Sequence, residues 1–253
     1  MAAARLLRRP AGRREAGRFL VEGPQAVRGA AEAGALELLF ATPEAAARYP
    51  DFAVDHLVDA NTLGSLTSSV SPQGVVGVAE LVTVDLPVAL AGAERLVAVL
   101  VEPSDPGNAG TVVRCADAAG ADAVLFTGDA VDPHNGKAVR ASAGSLWHLP
   151  VCAGVPLPTA VGALRAAGLR VVAADGRAGR DLDEALDAGE LDTPTAWLFG
   201  NEAHGLPLAA LDLADAALRI PLHGRAESLN LATAAAVCLY ASARALRWQT
   251  PRL

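Results

Sequence analysis

Three short polar clusters hold most of the side chains in the second half of the chain that could bind a ligand. The first contains Asn108 and Arg114, and the second contains Glu202. The third precedes an Ala-rich segment and contains Arg225, Glu227, Ser228 and Asn230. The first backbone N–H groups of a helix attract anions, and a buried carboxylate is costly unless it meets a partner or water. The clusters therefore predict a polar ligand site.

Each cluster also has a purely structural interpretation. Asn108, Ser228 and Asn230 are residue types that commonly cap helices. Arg114 could extend to a salt bridge, and Glu202 could lie in a solvated turn. The third cluster nevertheless holds more polar side chains than a helix cap requires, which favours a ligand-binding role.

Several familiar kinds of active site are excluded by spacing. His204 has no second ligand nearby at metal spacing, so we expect no metal. No nucleophile elbow is found, and no glycine-rich dinucleotide motif accompanies the first cluster. Gly136-Lys137 lacks the rest of a phosphate loop. We expect a short helix there, with Lys137 and Arg140 facing a phosphate backbone or simply solvent.

The clusters fall between segments that alternate between strand-like and helix-like patterns. From residue 95 onward the expected strands are 96–101, 123–126, 170–174, 195–199 and 216–220. The expected helices are 107–119, 137–143, 159–167 and 229–247. Such alternation is typical of a parallel α/β sheet. Ligands of open α/β sheets bind outside the carboxyl ends of the strands, where all three clusters are expected to lie.

The first third of the chain predicts a separate small α/β unit. Its expected strands are 19–22, 36–41, 55–58 and 75–81, and its expected helices are 25–33, 43–48 and 61–67. Residues 82–94 contain Pro87 and Gly92 and show no clear periodicity, which is typical of a linker. We therefore expect two domains, residues 1–81 and 95–253.

Charge is distributed unevenly along the chain. The net charge of -7 argues weakly against a nucleic-acid partner. However, six arginines crowd the N-terminus against a single acid, Glu15, and they are Arg5, Arg8, Arg9, Arg13, Arg14 and Arg18. Such a basic arm could contact phosphates, or its first dozen residues could form a disordered, solvated tail.

Neither a membrane span nor a disulfide framework is expected. The longest uncharged stretch near the C-terminus covers about sixteen residues, below the roughly 20 that a spanning helix needs. The start of the chain lacks a signal-peptide pattern. The three cysteines, Cys115, Cys152 and Cys238, form no CxxC pair. The simplest expectation is a cytoplasmic protein.

Together, the three clusters resemble the three motifs of the SpoU (TrmH) family of RNA ribose 2′-O-methyltransferases, within the SPOUT superfamily. The first motif resembles Asn108-x-Gly110-x-x-x-Arg114, and the second resembles Gly200-Asn201-Glu202-x-x-Gly205-Leu206. The third resembles Ile220-Pro221 followed by Glu227-Ser228-Leu229-Asn230. The resemblance covers residues 95–247. Residues before 81 resemble, less specifically, the family's ribosomal-protein-like substrate-binding domain.

The resemblance implies a parallel sheet with a C-terminal trefoil knot, which sequence reasoning alone would not propose. It implies that S-adenosylmethionine is held by backbone groups of Gly200, Ile220 and Leu229. It also implies a homodimer whose active site is assembled from both subunits. The apolar segment after Asn230 suits burial in a core or against a second subunit.

The implied activity is methyl transfer to a ribose 2′-hydroxyl of RNA, with ribosomal RNA as the expected substrate. The family's proposed base corresponds to Arg114, although an arginine stays protonated at neutral pH. Four further residues would position the ribose and Arg114, namely Asn108, Glu202, Ser228 and Asn230. The alternative is a non-catalytic RNA-binding or ribosome-assembly factor with the same fold.

Overall fold

The computed structural model describes residues 2–67, 69 and 71–248. The chain forms two compact units. Unit 1 comprises Met1–Val82 and Asp132–His148, and unit 2 comprises Thr83–Val131 and Leu149–Leu253. The second segment of unit 1 differs from the predicted division, in which every residue after 95 belonged to one domain. Within the described ranges, no helix is long and apolar enough to cross a membrane.

Unit 1 is built on a four-stranded sheet with the order β1-β4-β2-β3. The strands are β1 (Arg18–Glu22), β2 (Leu36–Ala41), β3 (His56–Leu57) and β4 (Val75–Glu80). β4 is antiparallel to both β1 and β2, and β3 is parallel to β2. The helices are α1 (Ala2–Leu6), α2 (Pro10–Ala16), α3 (Pro24–Glu32), α4 (Pro43–Arg48), α5 (Ala60–Gly64) and α8 (Gly136–Ser142), with a 3-10 helix at Ser145–Trp147.

The two faces of this sheet pack against different parts of unit 1. On one face, strand residues such as Phe40 and Val76 form a core with Leu7 and Leu63 from the helical segments. On the other face, Phe19 is fully buried and lies 4.7 Å from the ring of His134 and 6.0 Å from that of Trp147. Burial of a large apolar side chain such as Phe19 stabilises the fold by about 1.5–3 kcal/mol. The returning segment 132–148 is therefore part of the core of unit 1.

A partly buried ion pair fixes the N-terminal arm within unit 1. Arg13 is only 3% exposed and donates two hydrogen bonds to Asp132, at 2.6 and 2.8 Å. Burial alone would raise the pKa of Asp132, but hydrogen bonds from His134 and Arg13 hold that pKa well below its ordinary value. The arm thus folds as α1 and α2, and the interpretation of its first dozen residues as a disordered tail is wrong.

The short helix α8 has a different role from the predicted one. Arg140 does not face a phosphate backbone, because its guanidinium donates to Glu22, a carboxylate that is 5% exposed. Glu22 also accepts a hydrogen bond from the Thr67 hydroxyl at 2.5 Å. A buried carboxylate requires such partners, so Arg140 stabilises unit 1.

Unit 2 contains a seven-stranded sheet with the order β7-β6-β5-β10-β8-β11-β9. The strands are β5 (Leu96–Val101), β6 (Ala123–Thr127), β7 (Val151–Val155), β8 (Arg170–Ala174), β9 (Arg180–Asp181), β10 (Thr195–Phe199) and β11 (Ala216–Arg219). All neighbouring pairs are parallel. The helices are α6 (Leu86–Ala89), α7 (Pro106–Ala119), α9 (Leu157–Ala166), α10 (Leu182–Asp187), α11 (Leu208–Asp212) and α12 (Leu231–Trp248). The predicted parallel α/β sheet is confirmed.

The central strands are buried along their whole length. Every residue of β5, β6 and β10 is buried, as expected for strands covered by helices on both faces. α12 packs against α7 and against β5 and β10. A buried hydrogen bond of 2.9 Å from the Trp197 indole to the Ser242 hydroxyl joins β10 to α12. The last helix is therefore a core element of unit 2.

The strand order determines which loops meet. β10 lies between β5 and β8, and β8 lies between β10 and β11. Because all these strands are parallel, the segments that follow them emerge at one edge of the sheet. That edge therefore collects residues from each of the three polar clusters predicted from the sequence.

Candidate active site

Four polar side chains form a continuous hydrogen-bonded group at this edge, which we call the carboxylate cluster: Ser104, Asn108, Glu202 and Asn230. The Glu202 carboxylate accepts from the Ser104 hydroxyl at 2.8 Å, the Ser104 N–H at 3.0 Å and the Asn108 side-chain amide at 3.2 Å. The Asn108 amide oxygen accepts from the Asn230 side-chain amide at 3.0 Å. The structure thus joins one residue from each predicted motif.

Both helices next to the cluster begin at residues that hold it in place. Asp105 caps α7 by accepting from the Asn108 N–H at 2.8 Å, and its own N–H donates to Glu202 at 3.2 Å. Asn230 accepts from the Ala232 N–H at 2.9 Å at the start of α12. The capping interpretation of Asn230 is therefore correct, but its amide nitrogen also serves the cluster.

The loop after β10 is shaped by its backbone. Asn201 and Gly205 exchange two backbone hydrogen bonds, of 2.8 and 3.1 Å, which close the loop on itself. A Cβ at Gly200 would collide with the backbone of Gly205 and Leu206, so no larger residue fits there without opening the loop. The Asn201 side chain donates to the Glu102 carbonyl at 2.8 Å. This bond joins the loop to the end of β5.

Glu102 stands at that end of β5 in an uncommon conformation. Its φ of 51° lies in the left-handed region, which costs free energy for a residue with a Cβ. Non-glycine residues in this region often mark functional loops. The conformation here directs the Glu102 carbonyl to Asn201 and begins the turn that leads to Ser104.

The charge of Glu202 is set by two opposing effects. Partial burial raises its pKa, whereas hydrogen bonds from Ser104 and Asn108 lower it. The net pKa of Glu202 lies below its ordinary value of 4.5. The carboxylate is therefore ionised at neutral pH and acts as a fixed acceptor rather than as a proton donor.

A cavity of about 700 Å³ adjoins the cluster. All three residues predicted to hold a cofactor, Gly200, Ile220 and Leu229, line this cavity. Three of the residues predicted to position the substrate also line it, namely Glu202, Ser228 and Asn230. Apolar side chains complete the wall, among them Ala174, Phe199 and Leu218 from strand ends and Leu222 from the segment after β11. The volume lies within the range of small-molecule sites.

One wall of the cavity is formed by residues that sequence reasoning missed. Asp175 and Gly176 follow β8 directly, and Arg219 ends β11. Asp175 accepts three hydrogen bonds from Arg177, between 3.0 and 3.1 Å. Arg219 donates to the carbonyls of Ala178 and Gly179, at 3.2 and 3.3 Å. The position of Asp175 after a predicted strand was a usable signal, because the same strand-end rule had identified the other clusters.

Arg114 is not part of the cluster or of the cavity. It lies on α7 as an exposed side chain, and within the described residues no hydrogen bond or ion pair of its guanidinium is recorded. Ala118, one helical turn later, accepts a 3.4 Å hydrogen bond from the Tyr240 hydroxyl of α12. Tyr240 and Val237 are 52% and 38% exposed. We call this surface, consisting of Arg114, Val237 and Tyr240, the α7–α12 face.

His204 and Arg225 are also exposed and lie outside the cluster. Among residues 2–67, 69 and 71–248, no group of three or more His, Cys, Asp or Glu side chains could hold a metal ion. At this edge, hydrogen-bonding groups and the charge of Glu202 lie beside an apolar cavity wall.

Comparison with known proteins identifies a family. The model of the SpoU rRNA Methylase family matches residues 95–240. The chain is 35% identical over 185 residues to the 23S rRNA (guanosine(2553)-2′-O)-methyltransferase RlmP of Bacillus subtilis, covering 73% of this chain and 71% of that protein. It is 38% identical over 180 residues to the 23S rRNA (uridine(2479)-2′-O)-methyltransferase of Streptomyces viridochromogenes, covering 69% and 61%.

Solved structures extend the likeness to nearly the whole chain. The crystal structure of the SpoU methyltransferase AviRb from Streptomyces viridochromogenes, in complex with S-adenosylmethionine, is similar with a TM-score of 0.79. Its sequence identity to this chain is 33%, and the match covers 96% of each chain. A crystal structure of an S-adenosylmethionine-bound rRNA methyltransferase from Sinorhizobium meliloti matches at the same TM-score with 31% identity, covering 96% and 93%.

Proposed function

Because this chain belongs to the SpoU rRNA methylase family, we propose that it transfers a methyl group from S-adenosylmethionine to a ribose 2′-hydroxyl of ribosomal RNA. The observation that carries this proposal is that the carboxylate cluster and the cavity share Glu202 and Asn230. A hydroxyl held by the cluster would therefore lie beside whatever fills the cavity. The names of RlmP and of the 23S rRNA (uridine(2479)-2′-O)-methyltransferase of Streptomyces viridochromogenes support ribosomal RNA as the substrate.

The residues present fit S-adenosylmethionine. The cavity is large enough for a nucleoside joined to an amino acid, and its apolar strand ends suit an adenine ring. The closed loop at Gly200 brings backbone groups to the cavity wall without an intervening side chain. We assign the holding of the cofactor to backbone groups of Gly200, Ile220 and Leu229. When bound, the cofactor supplies an electrophilic methyl group on a positively charged sulfur.

The cluster supplies orientation. Asn108 is fixed from both sides, since its amide nitrogen donates to Glu202 and its oxygen accepts from Asn230. Ser228 stands on the cavity wall next to Asn230 and can hydrogen-bond a ribose hydroxyl. Holding a hydroxyl in line with its reaction partner removes much of the entropic cost of the reaction. We assign positioning of the ribose to Asn108, Glu202, Ser228 and Asn230.

Arg114 supplies charge. The sequence resemblance assigns it the role of base, but a guanidinium keeps its proton at neutral pH. We therefore assign it the stabilisation of negative charge that develops on the attacking oxygen or lies on the adjacent phosphate. This role requires Arg114 to meet a site, and its exposed position on α7 is compatible with meeting the site of another subunit.

The same proposal includes a homodimer with composite sites. The α7–α12 face presents Val237 and Tyr240 as exposed apolar side chains beside Arg114. Exposed apolar surface next to a functional charge is typical of a protein interface. A second copy of this chain, packed on that face, would bring its Arg114 to the cluster of its partner.

The proposed architecture also includes a knot and separate roles for the two domains. The insertion of β10 between β5 and β8, with α12 returning from β11 to pack on α7, supports a trefoil knot. Residues 1–81 would bind RNA with the help of the basic arm, residues 82–94 would link the domains, and residues 95–253 would carry the transfer. We expect the protein to act in the cytoplasm, where ribosomal RNA is made and modified in bacteria such as those of its relatives.

The test is methyl transfer in vitro from tritium-labelled S-adenosylmethionine to a 23S ribosomal RNA transcript that carries no modifications. We expect label in alkali-resistant dinucleotides, because a 2′-O-methyl group blocks cleavage of the adjoining phosphodiester. Label in the bases alone would contradict ribose methylation. Absence of both transfer and cofactor binding would favour the non-catalytic RNA-binding or ribosome-assembly factor.

The cofactor site is tested separately by calorimetry with S-adenosylmethionine and no RNA. Gly200→Ala forces the loop open, and we expect it to weaken binding by about 5- to 160-fold, which corresponds to an overpacking cost of about 1–3 kcal/mol. Gly162→Ala is the matched control, because a Cβ at Gly162 in α9 meets no atom within 4 Å. Equal binding by both variants would contradict the assignment of the cavity.

A further inference from the structure

Three arginines of unit 1 line one open concavity together with Ser65. Arg5 donates from its Nε to the Ser65 hydroxyl at 2.9 Å, and Arg8 donates to the Ser65 carbonyl at 3.3 Å. Arg9 lines the same open concavity, whose volume is about 470 Å³. We call Arg5, Arg8, Arg9 and Ser65 the arginine concavity. All three guanidiniums are exposed.

The arginine concavity differs from four other arginines of unit 1. Arg13, Arg18, Arg28 and Arg140 each contact a carboxylate, provided by Asp132, Glu37, Asp51 and Glu22 respectively. Within the described part of the chain, none of the three arginines of the concavity forms an ion pair with a carboxylate, and the partners of Arg5 and Arg8 are neutral oxygens of Ser65. Their positive charge is therefore uncompensated locally, in a protein whose net charge is -7.

The concavity is built by packed elements rather than by loose side chains. Ala4 and Leu7, which flank Arg5 in sequence, are buried in the same core as Leu63 of α5. Ser65 ends α5, and its hydroxyl also donates to the Thr62 carbonyl at 2.7 Å. The arginines are therefore held near one another before any ligand arrives. Such preorganisation lowers the entropic cost of binding.

The chemistry of the concavity matches phosphate. A guanidinium presents a planar fork of N–H donors that fits phosphate oxygens. Arg5 and Arg8 each use one nitrogen on Ser65 and keep their remaining donors and their full charge. The three guanidiniums lie at positions i, i+3 and i+4 of the arm. This spacing suits several successive phosphates of a nucleic-acid strand better than it suits one isolated anion.

We propose that the arginine concavity binds the phosphate backbone of the RNA substrate, and that the N-terminal arm divides its arginines between two tasks. Arg5, Arg8 and Arg9 contact RNA, whereas Arg13 is buried with Asp132 and stabilises the fold. This inference rests on the proposed function, because it takes RNA to be the substrate. It replaces a generally basic arm with one preformed site of three named side chains.

The experiment compares two triple variants with the same change in net charge. The first is Arg5→Gln/Arg8→Gln/Arg9→Gln. The matched control is Arg18→Gln/Arg28→Gln/Arg48→Gln, which removes two other exposed arginines of unit 1 and the half-buried Arg28. The probe is a fluorescent single-stranded oligouridine, with its dissociation constant measured by anisotropy at several salt concentrations.

For the concavity variant we expect RNA affinity to fall at least about tenfold at low salt. The slope of log K against log salt should fall by about 2, because each lost phosphate contact removes roughly 0.7. The RNA affinity of the control should stay within about threefold of that of the native protein. Its Arg18 and Arg28 already pair with carboxylates, and its Arg48 lies outside the concavity. Equal losses in both variants, or an unchanged slope in the first, would overturn the proposal.

Two further measurements separate this inference from folding effects and from the proposed function. Arg5→Lys/Arg8→Lys/Arg9→Lys keeps the charges and should retain most of the salt slope, whereas a folding defect would persist in it. Binding of S-adenosylmethionine, and kcat at saturating ribosomal RNA, should be unchanged in the Gln variant while KM for RNA rises. If the native protein transfers no methyl group, the proposed function fails, yet the RNA-affinity comparison still decides the role of the concavity.

Discussion

The N-terminus and the middle of helix α7 present opposite situations. At its N-terminus, Asn108 is held by Glu202 and Asn230 in a group whose polar atoms are paired within one chain. Two turns later, Arg114 extends from an exposed surface beside Tyr240 and Val237. The same helix thus carries a completed polar cluster and an exposed cation on an apolar face.

This difference indicates which parts of the site one chain can build alone. A charge-assisted hydrogen-bonded group is stable without a ligand because its donors and acceptors are satisfied. An exposed arginine gains little from its own chain, and it becomes catalytic only where another surface removes it from water. The contrast supports the proposed composite site, in which the carboxylate cluster comes from one subunit and Arg114 from the other.

The largest effect is expected for Arg114→Ala. Loss of a charge that acts on the developing alkoxide should lower kcat by about 10²–10³, the size of effect seen when one electrostatic stabiliser is removed. Affinity for S-adenosylmethionine should not change, because Arg114 does not line the cavity. Single-turnover transfer and calorimetry measure the two quantities separately.

The matched control for this variant is Arg95→Ala. Arg95 is also an exposed arginine of unit 2, but it precedes β5 at the opposite end of that strand from the cluster. The free energy of unfolding of both variants should lie within about 0.5 kcal/mol of that of the native protein, as is usual for surface substitutions. Full activity of Arg114→Ala would remove the role assigned to this residue.

Mixing two inactive variants tests directly whether the site is composed of residues from both subunits. Leu229→Arg should fill the cavity and block cofactor binding, and Arg114→Ala should lack the charge. In a composite site, a mixed dimer has one native site and one doubly damaged site. Random pairing at equal amounts should therefore restore about a quarter of native activity, given a two-fold symmetric dimer. Without recovery after coexpression, Arg114 must act in its own chain or not at all.

The sequence predicted the sheet of unit 2 well where local pattern and burial agree. The continuous apolar runs at 96–101 and 195–199 are strands of unit 2 within these bounds. β7 (Val151–Val155) was missed because it contains Gly154 at a φ of 78°, and this glycine interrupts the strand pattern. α12 begins at Leu231 rather than at residue 229, because Asn230 is its cap.

Features that depend on distant contacts were not predictable from the local pattern. Nothing near Asp132 indicates that it will pair with Arg13, which is 119 residues away. The arginine concavity was hidden for the same reason, since Ser65 belongs to a helix far from the arm in sequence. The polar clusters could be located because strand ends of a parallel sheet meet at one edge, and the roles of their residues came from the resemblance to the SpoU family. The exposed position of Arg114 follows only from how α7 packs on α12.

A smaller effect is expected for Glu202→Gln. The substituted amide keeps the shape but turns a donor toward Ser104 or Asn108, so that hydrogen bonds of the cluster are lost. Because Glu202 is only partly buried, we expect a loss of about 1 kcal/mol in unfolding free energy. Asn108 would lose its fixed orientation, and kcat should fall about tenfold with little change in KM for the cofactor. A kcat equal to that of the native enzyme would show that the cluster does not orient the substrate.

The smallest effect is expected on the pH dependence of the difference in unfolding free energy between the native protein and Glu202→Gln. The pKa of Glu202 in the folded protein lies below its ordinary value of 4.5, because hydrogen bonds from Ser104 and Asn108 outweigh the effect of burial. Ionised Glu202 therefore stabilises the fold fully above pH 4.5, and this contribution is lost as the pH falls through the lower, folded pKa. Denaturant unfolding of the native protein and of Glu202→Gln should give a constant difference near neutral pH that shrinks below pH 4.5. Other carboxylates titrate alike in both proteins and cancel in the difference, so a difference that stayed constant on acidification would mean that the Glu202 charge does not hold the cluster together.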